Sequence, residues 1–242
     1  VFHALTFKIE NRSIMQDADC LYKASKILLA NGEKTLATSV AFKAKNIRRK
    51  LLEDNNIHRI IDFMIDHIKP DEEFFLNSYE DLWPNKIKSR MPSCPIYIRK
   101  WIFSTNPIKK IYTDGSFYID GGMGVVAVDY KNIPVAMVSG CMTDCAGSYE
   151  AEYAGVVLGL KIFESESIRK VLHDVSLNVA QDAAISVGFK GDCQHVNGHS
   201  GHWYNEITDR LASKRGGLKN KELKNPERIR QKQFNKDELK TP

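Results

Sequence analysis

Two short stretches, far apart in the chain, carry the residue types that could do chemistry. Late in the sequence Gly198-His199-Ser200-Gly201-His202 runs into Trp203-Tyr204-Asn205-Glu206-Ile207-Thr208-Asp209, followed by Arg210-Leu211-Ala212. A Gly/Ser loop bearing a titratable imidazole thus feeds an amphipathic segment that carries an acid on its inner side. Upstream, Tyr112-Thr113-Asp114-Gly115-Ser116 places another acid just before a glycine. Between them, Tyr149-Glu150-Ala151-Glu152-Tyr153-Ala154 opens an apolar helical pattern continued by Val156, Val157, Leu160 and Phe163. Carboxylates converging from separate elements are hard oxygen ligands, suited to Mg²⁺ rather than to softer metals.

These segments, in this order, resemble type 1 ribonuclease H. That family opens its catalytic domain with a strand ending in Thr-Asp-Gly-Ser. It closes the domain with a Gly-His-Ser-Gly-His loop, then Asn-Glu, Asp and Leu-Ala. The resemblance covers residues 108–213. It implies an α/β fold, a mixed five-stranded sheet with flanking helices. It also implies a Mg²⁺-dependent endonuclease that hydrolyses the RNA strand of RNA–DNA hybrids, leaving 3′-hydroxyl and 5′-phosphate ends. Asp114, Glu152, Asp182 and Asp209 would hold two Mg²⁺ ions, with Mn²⁺ as a substitute. His199 stands where the family carries a loop histidine similar to a proton shuttle or an aid to product release. A second reading is a catalytically impaired, retroelement-derived module that only binds nucleic acid.

The chemistry explains the need for so many acids. In-line attack of water on a phosphodiester builds charge on the attacking and leaving oxygens, and two cations about 3.5–4 Å apart can neutralise both. Carboxylates packed that closely repel one another unless cations balance them, so the metal-free protein should be the less stable form. Two positions have rivals. Glu150 competes with Glu152, although the alanine-rich apolar continuation favours Glu152. Asp174 competes with Asp182, and Asp182 is preferred because Val175, Leu177 and Val179 alternate like a strand leading up to it. The family places Ser after this acid, whereas Ala183-Ala184-Ile185 follow here.

The elements that must position these residues are legible in outline. Ile108, Ile111 and Tyr112 predict a first strand, Val125 to Val128 a second and Val135 to Val138 a third, with a turn at Asn132. The Glu152 helix then crosses over to the strand expected at 175–179, a βββαβ order. Counted from Asp182, the path to a last strand at Gln194–Val196 leaves about eleven residues, marginal for a parallel crossover. One short helix, Ala183–Phe189, would have to bridge it, and the usual basic substrate-holding surface would be lost with the second helix. Ahead of residue 108, apolar spacing predicts helices over 14–69, ended by Pro70. Phe74-Phe75-Leu76 and Tyr79-Leu82-Trp83 form an apolar patch, and 91–107 reads as an irregular linker. Three units follow: a mainly helical region 1–107, a ribonuclease H-like domain 108–213 and a basic, disordered tail 214–242. Arg48-Arg49-Lys50 reads as a solvated helix face, and 1–107 contains no paired-aspartate polymerase motif. Domain order alone suggests the trailing piece of a reverse transcriptase there.

Composition bounds the rest. The 242 residues are 43% hydrophobic and 27% charged, as expected of a globular chain with a sizeable core. No apolar run is long enough to span a bilayer, and no leader pattern opens the chain; an intracellular setting, cytoplasm or nucleus, is expected. The start at Val1 suggests a fragment of a longer product, and Lys-Asp-Glu-Leu at 236–239 is not terminal. Five scattered cysteines, with Cys141 and Cys145 the nearest pair, fit free thiols better than a zinc site. The net charge of +5 is uneven, since Ser213–Pro242 holds ten Lys/Arg against four Asp/Glu. Such a tail can bind nucleic-acid phosphates without sequence preference, or simply be solvated.

Overall fold

The structure, a computed structural model, describes residues 9–55, 57–76, 96–142, 145, 147–163, 167–174, 177–198 and 202–214. The helical reading of 14–69 resolves into α1 (Ile9–Ala30), α2 (Lys34–Asn55) and α3 (Ile57–His67). Gly32, at φ 85°, makes the tight turn between α1 and α2, a left-handed conformation that costs glycine little. Buried Ala18, Ala37 and Ala44 present little side-chain bulk where the helices pack. An Arg48–Asp19 ion pair joins the two helices. In α3, Ile57, Ile61, Met64 and Ile65 form one buried stripe at helical spacing.

Among the described residues the sheet has seven strands where five were expected, because it recruits chain from before residue 108. Its strands are β1 (Glu72–Leu76), β2 (Ile96–Ile102), β3 (Lys110–Phe117), β4 (Gly121–Val128), β5 (Pro134–Met142), β6 (Lys170–His173) and β7 (Asp192–His195). They lie side by side in the order β1-β2-β5-β4-β3-β6-β7. β6 runs parallel to β3 and β7 parallel to β6, whereas the other neighbours are antiparallel. The three-strand meander predicted from 108 onward is present, and Asn132 takes its turn at φ 58°. The supposed linker corrects to a strand over 96–102: Ile96, Ile98 and Trp101 are buried and the whole segment pairs with β5. Residues 77–95, including Tyr79, Leu82 and Trp83, lie outside the described residues.

The strand expected at 175–179 is also corrected. The fourth strand of the predicted order is β6, and 177–186 forms a helix, α5 (Leu177–Ser186). Val179, Ala180, Ala183 and Ala184 are its buried face, a helical spacing that shares Val179 with the alternating run. β6 was missed because it is short and its Val171-Leu172-His173 run is wholly buried, so it lacks alternation. The crossover from β6 to β7 therefore spans 174–191 and holds a ten-residue helix. Counted from the correct strand, it is not too short.

Helices cover both faces. On one, α4 (Ser148–Ile162) and α5 pack on Ile98, Ile111, Met123, Val125 and Val138. On the other, α3 and α6 (Trp203–Lys214) bury Trp101, Tyr112, Val126, Val128 and Met137. Backbone contact fixes both sides: a Cβ at Gly155 would lie 2.9 Å from the Asp114 carbonyl oxygen, and one at Gly124 only 2.0 Å from that of Thr208. Arg210 grips Asp62 through two charge-assisted bonds, tying α6 to α3. Trp101 Nε1 and Arg99 donate to the carbonyls of Ile68 and Ile65, tying the C-terminal end of α3 to β2. No described helix is long and apolar enough to cross a membrane.

Candidate metal centre

The parallel pairing of β3 and β6 builds the site. Thr113 and His173 are register partners, so Asp114, inside β3, and Asp174, the first residue past β6, come side by side where the parallel pairing ends. Glu152 reaches them from α4, whose first-turn acid is Glu150 rather than Glu152. One carboxylate oxygen from each of Asp114, Glu152 and Asp174 lies within 4.8 Å of the others.

The approach of α4 depends on glycine. A Cβ on Gly115 would fall 2.2 Å from the Glu152 backbone nitrogen, so only glycine lets the helix come this near β3. The Gly115 N–H then donates to both Asp114 Oδ1 and Glu152 Oε2, each at 2.8 Å. On the opposite side, buried Asn205 of α6 donates through Nδ2 to Asp174 Oδ2 at 3.3 Å. The carbonyl of Asp174 is met by His195 Nε2 at 3.1 Å.

Charge is concentrated here. Burial first, then repulsion from Glu152, Asp174 and Asp209, raises the Asp114 carboxyl far above its ordinary value. Burial, followed by the Asp174 charge, does the same to Glu152 against the opposing pull of the Gly115 N–H. Asp174 Oδ1 is buried with no hydrogen-bond donor among the described residues. An all-oxygen set of this kind, with an orphaned oxygen and suppressed ionisation, fits a hard divalent cation. His202, the second loop histidine, packs on the Tyr112 ring at 5.3 Å, and burial pushes it down to about 4. It is a neutral packing group.

Of the residues singled out from sequence, Asp114 and Glu152 are brought together, and Asp209 is near enough to raise the pKa of both. Asp182 is not part of the group: it is exposed on α5, in the middle of the crossover, and the rival Asp174 takes the place just past the end of β6. His199 lies outside the described residues. Asn205 was read only as part of a motif frame; its hold on Asp174 joins residues thirty-one positions apart and leaves no local trace. No protein-family model, curated protein or solved structure matches the chain.

Proposed function

We propose that the chain is a divalent-cation-dependent endonuclease with a ribonuclease H-like domain, acting on the RNA strand of RNA–DNA hybrids. The convergence of Asp114, Glu152 and Asp174 at the joint of two parallel strands carries this reading. The run of three antiparallel strands, a helix and a parallel strand from β3 to β6 supports the reading, being the βββαβ order that the ribonuclease H resemblance implies, although among the described residues a single helix separates β6 from β7 where that family has two. Two Mg²⁺ ions, or Mn²⁺ in their place, would neutralise charge on the attacking and leaving oxygens. Asp114, Glu152 and Asp174 would hold them, with Asp209 as a further ligand from α6. The Gly115 N–H fixes the Asp114 and Glu152 oxygens, and Asn205 orients Asp174. Such anchoring limits the rearrangement needed on ion binding. Hybrid selectivity would come from 2′-hydroxyl contacts on one strand and phosphate contacts on the other, without base readout.

The impaired-module reading drew on a short crossover counted from Asp182 and on a missing second helix. The 174–191 connection is long enough, but among its described residues it holds the single helix α5, so the lost basic substrate-holding surface still supports that reading. The reverse-transcriptase partner keeps only its argument from domain order, now set beside the two strands that 72–102 adds to the sheet. The test is cleavage of an end-labelled RNA–DNA hybrid with Mg²⁺, with Mn²⁺ and with chelator. Metal-dependent cuts in the RNA strand by wild type, absent in Asp114→Asn, are expected. Equal cleavage by the variant would refute the site.

A further inference from the structure

A groove of about 400 Å³ runs between the α1–α2 hairpin and residues 197–198, in the size range of nucleotide-scale sites. Tyr22, Phe42, Lys45, Arg48, Asn197 and Gly198 line it. Its far wall is also a wall of the acidic centre, since a Cβ on Gly198 would lie 2.9 Å from Asp174 Oδ2. The near wall is built. Arg48 is buried, paired with Asp19 and set 5.4 Å from the centre of the Tyr22 ring. The Asn197 side-chain amide donates to the Tyr22 hydroxyl, holding hairpin and loop together. On this frame Phe42 is 64% exposed, and Lys45 is exposed one helical turn away.

From Lys34 to Lys50, α2 carries six Lys/Arg and no Asp/Glu, and of the six Arg48 is buried and neutralised by Asp19 of α1. A cation-rich helix beside a cluster of acids answers an electrostatic need: the acids repel a polyanion, so something must draw it to them. Aromatic faces open to solvent next to such cations suit unpaired bases, which can stack, whereas a paired base offers no free face. An acidic peptide would use the lysines but not the flat ring.

We infer that this groove holds a single-stranded nucleic-acid flank, stacking a base on Phe42 and placing a phosphate at Lys45, next to the metal centre. The preferred substrate is then a hybrid with an unpaired extension rather than a blunt duplex. This rests on the proposed nuclease reading for its consequence, but the binding itself does not. Labelled oligothymidylate and oligouridylate are titrated by fluorescence anisotropy in chelator, where no metal-dependent cleavage occurs. Wild type, Phe42→Ala and Lys45→Ala are compared after their melting curves are shown to match; both altered side chains are exposed.

Loss of a stacked base is expected to weaken binding roughly 5- to 150-fold in Phe42→Ala without altering salt dependence. Lys45→Ala should reduce the slope of log K against log salt by about 0.7. Stronger binding of one oligonucleotide identifies whether DNA or RNA supplies the flank. Wild-type-like binding by both variants, no binding by wild type, or equal losses toward a polyglutamate peptide would overturn the inference. In a parallel cleavage assay, a flanked hybrid should show a lower KM than a blunt one, an advantage lost in Phe42→Ala. Metal-dependent cleavage with unaltered oligonucleotide binding ends the groove proposal and spares the nuclease. Weakened binding in the variants of a protein that cleaves nothing does the reverse.

Discussion

Replacing Asp114 with Asn should stabilise the metal-free protein while removing its function. The side chain is 4% exposed, and its Oδ1 accepts the Gly115 N–H, a bond that an amide oxygen can keep. What changes is charge. At the 4.8 Å limit of the cluster, one pair of ionised carboxylates costs about 3 kcal/mol at an effective dielectric near 20. Proton uptake caps this penalty, so a net gain of about 1–3 kcal/mol is expected near pH 8, or roughly 3–10 °C in Tm. The sign follows from the raised carboxyls. Asp114 and Glu152 sit above their ordinary values of 3.8 and 4.5, so the folded protein keeps protons that the unfolded chain has released. Their contribution is fully favourable below about pH 4 and is lost as pH rises toward the folded-state values. The advantage of Asp114→Asn should accordingly be small near pH 4 and largest in mild alkali. Mg²⁺ at a hundred times its Kd should stabilise wild type by about 2.7 kcal/mol, and the variant far less. Thermal unfolding of both proteins at two pH values, with Mg²⁺ and with chelator, measures all of this. A variant no more stable than wild type near pH 8 in chelator, or equally favoured at both pH values, would refute the electrostatic argument.

Asp174→Asn should abolish metal-dependent cleavage, whereas Asp182→Asn, an exposed change on α5, should leave the rate within about two-fold, within the usual scatter of surface substitutions. A loss confined to Asp182→Asn would reverse the correction made from the fold. Asn205→Ala should weaken Mg²⁺ affinity about 10- to 100-fold, as expected when a ligand loses its orienting partner; Mg²⁺ titration of the rate reads the effect. Gly115→Ala must push α4 away by more than side-chain adjustment allows, because its Cβ would meet backbone. A cost of about 1–3 kcal/mol in denaturant unfolding is expected, along with greatly reduced cleavage; normal stability and rate would contradict the packing of α4 on β3.

The chain by itself determined the pieces whose signals are local. Thr113-Asp114-Gly115 requires little context, because a glycine beside an acid on a strand marks a backbone that something approaches closely. Ile57, Ile61, Met64 and Ile65 announce α3 by spacing alone, and the meander of β3 to β5 follows from its apolar runs and the turn at Asn132. Tertiary structure decided which acid joins Asp114. Val175 to Val179 alternates as a strand would, yet the overlapping Val179, Ala180, Ala183 and Ala184 form a face that buries better as a helix against α4. β6, only four residues long, is specified by its parallel register with β3 rather than by any pattern of its own. That register is what sets Asp174 beside Asp114. The same holds for β2, where a segment between prolines becomes a strand only because β5 offers an edge to pair with. A periodic sequence can report which side of an element is apolar; only the assembled sheet reports which strand end lies next to which.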